Sequence, residues 1–272
     1  MTDLKAQLGL LKWRLKKYPR TAQSYFPFLK EVKDGFYRAY RRVLRKPSDG
    51  DFGAIALFND VLHGTYVDIG ANTGQSIESI KLFAPDAKIV SFEPNPELAG
   101  RLKQRYRADA NVRIRAIGLS DAVVVLQLHV PVYRGFVYDG LASLNYSNAR
   151  GWINRDTVFF FSPTRLDVRS HRCQVETLDV QTIDNPVFIK VDVEGLETNV
   201  IKGAIETLRQ HEPVLLVKSL HDKPELLEFV STLGFRPYHF VAGKFVHGFP
   251  TQGATRNTFL VTDWRMIQIS GR

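Results

Sequence analysis

The chain has 272 residues, of which 44% are hydrophobic and 24% charged, and a formal net charge of +9. This composition is typical of a globular protein with one α/β domain and an extension, or with two small domains. No apolar run approaches the roughly 20 residues that a membrane-spanning helix needs.

The positive charge is concentrated at one end of the chain. Residues 1–50 contain 13 of the 37 lysines and arginines and 4 of the 28 acidic residues, so this segment carries +9 and the remainder is neutral. An enzyme that acts on nucleic acid more often spreads positive charge over its active face. We therefore expect no nucleic-acid partner.

Residues 1–18 predict a basic amphipathic helix. Its apolar stripe consists of four leucines, Leu4, Leu8, Leu11 and Leu15. Three roles fit this pattern: contact with an anionic membrane surface, contact with a partner, or packing of the leucines on the body of the protein. With a second helix near 30–45, the segment 1–50 is interpreted as a basic helical extension that precedes a domain over 51–272. That domain is predicted to begin with a helix over 51–63, which leads to the first core strand.

The expected location is the cytoplasm, with the inner surface of a membrane as the site of any peripheral contact. Cys173 is the one cysteine of the chain, so no internal disulfide can form. The N-terminus also has charges where a signal peptide would have an apolar core.

The central motif is the segment 66–76, YVDIGANTGQS. An alternating apolar strand is followed by a polar turn, in which Gly70 and Gly74 flank Asn72, and then by apolar residues with helical spacing. Strand, glycine turn and helix are typical of the start of a nucleotide-binding α/β domain. Asp68 would repel the pyrophosphate of a dinucleotide, whereas S-adenosylmethionine is positively charged and has no phosphate.

A second strand, 88–93, ends in Glu93. An acid about twenty residues past the glycine turn is placed to accept hydrogen bonds from ribose hydroxyls. A third strand is predicted over 112–121, and Asp121 at its end either accepts the adenine amino group or belongs to a polar turn. The alternative for the whole pattern is an ordinary βαβ unit with a capping acid.

A long insert follows at about 122–180, with strands predicted at its two ends and irregular structure over 131–172. It is too long for a simple connection. Long loops in such folds usually form a ligand pocket or a lid.

The second informative segment is NPVFIKVDVEGLE, 185–197. It predicts a buried strand with Lys190, Asp192 and Glu194 near its carboxyl end, followed by a helix over about 196–210. Charges there are costly unless they are paired or used, and ligands of open α/β sheets bind at the carboxyl ends of strands. The lysine and the aspartate therefore form either a structural ion pair or part of a catalytic site.

The motifs VDIGANTGQS, FEPNPEL, ASL at 142–144, FIKVDVEGLE and VIKGA together resemble the FkbM family of S-adenosylmethionine-dependent methyltransferases over about residues 65–220. The resemblance implies an α/β fold with a doubly wound, mostly parallel Rossmann-like sheet. It also implies S-adenosylmethionine as the methyl donor and O-methylation of a hydroxyl on a sugar, glycan or other small natural product. By motif, the donor would be held by Asp68, Gly70, Asn72, Gly74 and Glu93, and the acceptor would face Lys190, Asp192 and Glu194.

One position departs from the family pattern. The family usually has an acid at the end of the fifth strand, predicted here over 213–219, where this sequence has Lys218. This departure argues against an acidic or metal-binding role at that position, and it leaves open an altered substrate or a loss of activity.

The catalytic hypothesis needs a base that takes the proton of the attacking hydroxyl. Asp192 or Glu194 could do this, Lys190 could orient the acceptor, and His221 just past the fifth strand is a further candidate. The seven histidines show no ligand spacing such as HExxH, so no dedicated zinc site is expected. Two other classes stay open: a non-catalytic Rossmann-like binding or scaffold protein, and a nicotinamide-dependent oxidoreductase, whose glycine fingerprint is missing.

Overall fold

The structure is a computed structural model of the chain, and it describes residues 17–26, 29–193, 195–218, 220, 223–249 and 257–271. Three parts of the sequence-based predictions lie outside these residues: most of the amphipathic helix over 1–18, Glu194 and His221.

The described residues form twelve strands, numbered in chain order. They are β1 (Thr65–Ile69), β2 (Lys88–Phe92), β3 (Val112–Arg115), β4 (Gly118–Leu119), β5 (Val124–Tyr133), β6 (Phe136–Val137), β7 (Leu166–Glu176), β8 (Pro186–Val191), β9 (Val214–Lys218), β10 (Phe235–Val241), β11 (Lys244–His247) and β12 (Asn257–Thr262).

Helices separate many, but not all, of these strands. The α-helices are Leu29–Val43, Ile55–Phe58, Gln75–Phe83, Pro96–Arg105, Tyr146–Gly151, Glu197–Lys202, Ile205–His211, Pro224–Thr232 and Asp263–Ser270; residues 17–25 are also helical. Short 3₁₀ turns cover Gly50–Ala54, Asp139–Leu141 and Pro163–Arg165.

The main sheet has eight strands in the order β11-β10-β12-β9-β8-β1-β2-β3. Strands β9, β8, β1, β2 and β3 are parallel neighbours, and β12 is antiparallel to both β9 and β10. The chain first adds β2 and β3 on one side of β1, and later it adds β8 and β9 on the other side. This reversal makes the boundary between β1 and β8 the topological switch point, and the predicted doubly wound, mostly parallel sheet is confirmed.

Both faces of the main sheet are buried, which is why its central strands are almost continuously apolar. In β1, Tyr66 packs into one hydrophobic cluster, together with Ile77 and Phe188. The next residue, Val67, and Ile69 pack into the cluster on the other side. Because side chains along a strand alternate between the two faces of the sheet, β1 contributes apolar side chains to both clusters.

Two predicted elements are interrupted. The predicted strand 112–121 was wrong as one element, because β3 ends at Arg115 and β4 pairs with β7 in a second sheet of order β4-β7-β5-β6. The predicted helix 196–210 breaks at Gly203. A Cβ at Gly203 would lie 1.9 Å from the carbonyl oxygen of Ser120, so a close backbone approach fixes the break.

Two other predictions were wrong in extent. The predicted helix 51–63 consists of the 3₁₀ turn Gly50–Ala54 and the short helix Ile55–Phe58. The segment 131–172, expected to be irregular, contains β6, the end of β5 and most of β7.

The chain divides into two compact units, one comprising residues 41–125 and 173–272 and the other residues 1–40 and 126–172. The first contains the main sheet. The second has its own small core, which includes Tyr133, Phe136 and Ile153. Its helical residues 17–25 are bound to the insert, since the Tyr138 hydroxyl donates to the Arg20 carbonyl at 3.0 Å. The predicted domain boundaries at residue 50 and at about 122 and 180 stay predictions.

Within the described part of the chain, no helix is both long enough and apolar enough to cross a bilayer.

Candidate active site at the carboxyl edge of the main sheet

The glycine turn, residues 70–74, follows β1 directly. Gly70 has φ +85°, and a Cβ there would lie 2.0 Å from the carbonyl oxygen of Asp192. Gly74 has φ +88°, and a Cβ there would lie 2.8 Å from Leu102 Cδ2. Both glycines are therefore required by packing within the chain itself, whatever ligand the turn holds.

Glu93, which follows β2, is buried and bound to two backbone groups. Its Oε2 accepts from the N–H of Asn72 at 2.7 Å, and its Oε1 accepts from the N–H of Asn95 at 2.9 Å. The Asn95 side chain in turn caps the helix Pro96–Arg105 by accepting from the N–H of Glu97 at 3.0 Å. A carboxylate offers about four acceptor positions, so these contacts are compatible with ligand hydroxyls at the same group.

Four charged side chains, Asp68, Lys190, Asp192 and Lys218, form a continuous line across the ends of β1, β8 and β9. We call this line the charge row. Lys190 Nζ lies 3.2 Å from Asp68 Oδ1 and 3.7 Å from Asp192 Oδ2, and Lys218 Nζ lies 2.8 Å from Asp192 Oδ1. Positive and negative groups alternate, and the four formal charges sum to zero.

Strand register explains the charge row. Asp68 and Lys190 are direct partners in the parallel β1–β8 pair. The β8–β9 register pairs Val191 with Val217, so the next residues along, Asp192 and Lys218, also come side by side. Strands β1 and β9 thus contribute one charge each, and β8 with the residue after it contributes two, at two successive levels of the sheet.

The charge row passes from the interior towards solvent. Asp68 is fully buried and its Oδ2 accepts from the Ser91 hydroxyl at 3.2 Å. Lys190 is nearly buried and also donates to the Gly70 carbonyl at 3.3 Å, while Asp192 and Lys218 are partly exposed. The outer end of the charge row is therefore the part that a substrate can reach.

Asp121 lies apart from strand β3 and is exposed. Its Oδ2 accepts from Asn199 Nδ2 and its Oδ1 from the Ser120 hydroxyl, both at 3.0 Å. These two hydrogen bonds, that from Asn199 first, lower the pKa of the Asp121 carboxyl below its ordinary value. Its suggested contact with the adenine amino group stays a prediction, as do the roles of the other predicted site residues.

Sequence reasoning missed an ion pair behind the site. Glu197 is buried at the start of the helix Glu197–Lys202, accepts from the N–H of Gly195 at 3.2 Å, and pairs with Lys223. Glu197 was part of the FIKVDVEGLE motif, but helical spacing alone gave no sign that it is buried. The Ser91 hydroxyl on Asp68 was missed because this contact depends on the register of β1 and β2.

A cavity of about 720 Å³ lies at the opposite edge of the main sheet, by the amino ends of β8 and β9. Its wall includes His63, Trp264 and Arg265. The Arg265 guanidinium is already bound, for example to the Glu212 carbonyl at 2.8 Å. The carboxyl edge, where the charge row meets the switch point, is the stronger candidate for chemistry.

Among the described residues, no group of three or more His, Cys, Asp or Glu side chains is arranged to hold a metal ion. The expectation of no dedicated zinc site stays a prediction.

Comparison with known proteins places these features in a family. The sequence matches the family model described as "Methyltransferase FkbM domain" over residues 68–237, a range that includes the glycine turn and the charge row. A solved structure, the methyltransferase FkbM from Methylobacillus flagellatus KT, is 15% identical, with a TM-score of 0.47, and the match covers 78% of this chain and 48% of that one.

Two curated proteins also match. The chain is 26% identical over 148 residues to the 2-O-methyltransferase NoeI of Sinorhizobium fredii. The aligned region covers 52% of this chain and 58% of NoeI. It is 29% identical over 186 residues to the AMB antimetabolite synthetase AmbE of Pseudomonas aeruginosa. Here the aligned region covers 58% of this chain and 8% of AmbE. The chain therefore spans less than two thirds of the length of either relative.

Proposed function

Because the chain belongs to the FkbM methyltransferase family, we propose that it is an S-adenosylmethionine-dependent O-methyltransferase acting on a hydroxyl of a sugar, glycan or other small natural product. The observation that carries this proposal is the charge row beside the glycine turn, at the switch point of the sheet. NoeI is a 2-O-methyltransferase, and this supports oxygen as the methylated atom.

The residues present fit the donor chemically. Asp68 and Glu93 are buried carboxylates at the ends of β1 and β2. Glu93 suits a ligand with ribose hydroxyls and a positive charge, and it would repel a pyrophosphate. The charge of Asp68 is balanced by Lys190, so Asp68 supports the glycine turn instead. When bound, S-adenosylmethionine supplies a methyl group that is already activated by its sulfonium.

We assign the donor-holding roles as follows. Glu93 binds the ribose hydroxyls, and the backbone of Gly70, Asn72 and Gly74 shapes the surface beneath them. Asp68 acts from behind the glycine turn, since it holds Lys190, whose ammonium binds the Gly70 carbonyl. Asp121 binds the adenine amino group.

The acceptor is assigned to the outer end of the charge row. Asp192 accepts the proton of the attacking hydroxyl, and Lys190 and Lys218 fix the orientation of its carboxylate from two sides. Glu194 and His221 are the other candidates for the base. Correct orientation of the hydroxyl can contribute up to about 7–11 kcal/mol to lowering the barrier.

Two measurements test the proposal. Calorimetric titration with S-adenosylmethionine and with NAD should show binding of the first only. Mass spectrometry of glycans and lipids from cells with and without the protein should then show an acceptor that gains the mass of one CH2. No binding of the donor would refute the proposal; binding without any methylated product would favour a non-catalytic binding or scaffold protein, and binding of NAD an oxidoreductase.

We further propose a cytoplasmic location, with peripheral contact between residues 1–18 and an anionic membrane. The local net charge of +9 over residues 1–50 supports this contact.

A further inference from the structure

The helix Leu29–Val43 presents apolar and aromatic side chains to solvent. Val32, Phe36 and Tyr40 recur every four residues along one side, and Tyr37 lies next to Phe36. Val32 is 66% exposed and Phe36 68% exposed. We call these four residues the aromatic stripe.

This arrangement is the reverse of what a helix on a globular protein normally shows, because the apolar side usually faces the core. Gly35 and Arg38, which lie off the aromatic stripe, are half-buried instead. An exposed apolar surface of this kind marks a contact with something outside the chain.

The charge around the aromatic stripe selects the kind of partner. Residues 29–46 contain seven lysines and arginines and two acidic residues. Because the rest of the chain beyond residue 50 is neutral, the positive potential is concentrated on the part that carries the aromatic stripe. A negatively charged surface is therefore the complementary one.

The most exposed aromatic side chain among the described residues, Phe160, also belongs to the unit formed by residues 1–40 and 126–172. Phe160 is 82% exposed and has φ +51°, a backbone conformation that costs energy for a bulky residue. The Tyr133 hydroxyl holds this backbone, donating to the Phe160 carbonyl at 3.3 Å and accepting from the N–H of Ser162 at 2.9 Å. These hydrogen bonds thus hold Phe160 in a strained backbone conformation that leaves its ring exposed to solvent.

We infer that the aromatic stripe of the helix Leu29–Val43 docks on an anionic lipid surface. Phenylalanine, tyrosine and valine enter the boundary between headgroups and acyl chains, and the neighbouring lysines and arginines pair with lipid phosphates. A second copy of the chain fits less well, because two such helices would bring two segments of like charge together. This inference concerns a different element from residues 1–18 and does not depend on the methyl-transfer chemistry.

The test uses the full chain and sedimentation with vesicles of phosphatidylcholine alone or mixed with phosphatidylglycerol. We expect binding to the mixed vesicles only, and we expect about 1 M salt to weaken it because screening then acts within about 3 Å. The variant Val32→Ser/Phe36→Ser/Tyr40→Ser should lower the apparent affinity roughly tenfold or more, because three apolar side chains no longer enter the bilayer.

The matched control is Val123→Ser/Val180→Ser/Ile267→Ser, which removes three exposed apolar side chains from the other unit. It should bind as the wild type does, and thermal unfolding should be the same for all three proteins. The inference is overturned if the stripe variant binds as tightly as the wild type, or if the wild type does not bind mixed vesicles. It is also overturned if light scattering shows that the wild type and the control variant are dimers and the stripe variant is a monomer. That result would assign the surface to contact with a second copy of the chain.

Discussion

The glycine turn and the charge row lie at the same edge of the main sheet, but they are held in different ways. The glycine turn is fixed by backbone groups: the N–H groups of Gly70 and Ala71 donate to the Phe92 carbonyl at 3.0 and 3.1 Å, and Glu93 accepts from two further N–H groups. The charge row is fixed mainly by ion pairs between side chains. Substitutions in the glycine turn should therefore change folding first, and substitutions in the charge row should change function first.

The largest expected effect is that of Gly70→Ala. The new Cβ would lie 2.0 Å from the Asp192 carbonyl oxygen, and the positive φ is unfavourable for alanine. We expect a loss of about 3 kcal/mol or more in the free energy of unfolding, measured by urea denaturation. Gly100→Ala is the control, since a Cβ there meets nothing within 4 Å and the residue lies within the helix Pro96–Arg105; it should stabilise by about 0.5–1 kcal/mol. Equal stability of the two variants would contradict the comparison.

Asp192→Asn tests the charge row, where we expect a loss of function instead of a loss of stability. It keeps the shape of the side chain and removes its charge, so turnover should fall by on the order of 100-fold, or about 2.7 kcal/mol in the barrier. Donor affinity should change little. Single-turnover methyl transfer and thermal unfolding on the same preparation separate the roles: lost stability with normal turnover per folded molecule would make Asp192 a structural partner of the two lysines.

Glu93→Ala should affect both regions, because Glu93 holds the glycine turn and is assigned to the donor. We expect S-adenosylmethionine to bind more weakly by about 1.5–3 kcal/mol, as for a lost hydrogen bond to a charged group. Calorimetry measures this directly. Glu93→Gln keeps one carbonyl acceptor and should lose less than the alanine variant; if both bind the donor as the wild type does, the assignment of Glu93 fails.

Lys218→Met should have a smaller effect. The pair with Asp192 is partly exposed, so the free energy of unfolding should change by less than about 1 kcal/mol. Turnover should fall only a few-fold, because Lys190 still contacts Asp192. Lys218→Arg should restore turnover if the positive charge matters. If Lys218→Met lost as much turnover as Asp192→Asn, Lys218 itself would contact the acceptor.

The smallest effect is expected at Asp121, an exposed acid whose carboxyl is held mainly by hydrogen bonds from side chains. Its folded-state pKa is lowered, so its contribution to stability is present above the unfolded pKa of about 3.9 and is lost as pH falls through the folded value. After allowance for solvent screening, Asp121→Asn should cost a few tenths of a kcal/mol near pH 7. Urea denaturation curves of variant and wild type should converge in acid; a constant difference at all pH values would exclude the charge as the cause.

Local pattern was sufficient to predict the strands and turns that frame the site. The apolar alternation around Val67 and the glycines after it predicted β1 and the turn, and the motif around Lys190 predicted β8. Since parallel strands all end at one edge, the sequence also indicated that Asp68, Glu93 and Lys190 lie there.

The contacts between strands could not be predicted in this way. The pair Asp192–Lys218 depends on the β8–β9 register, which joins segments separated by a helical region. The break at Gly203 depends on a carbonyl oxygen more than eighty residues earlier in the chain, that of Ser120. Neither residue type nor periodicity carries this information, because both contacts arise only when distant segments pack.

The place of β12 has a consequence for the order of events during synthesis. This strand lies between β9 and β10 in the sheet, yet it follows β10 and β11 in the chain. While the ribosome is still making residues 257–262, β9 is an open edge and the hairpin of β10 and β11 has nothing to join. Open edges are where nascent chains aggregate. One six-residue strand therefore closes two exposed edges at once, and until it emerges the sheet stays divided.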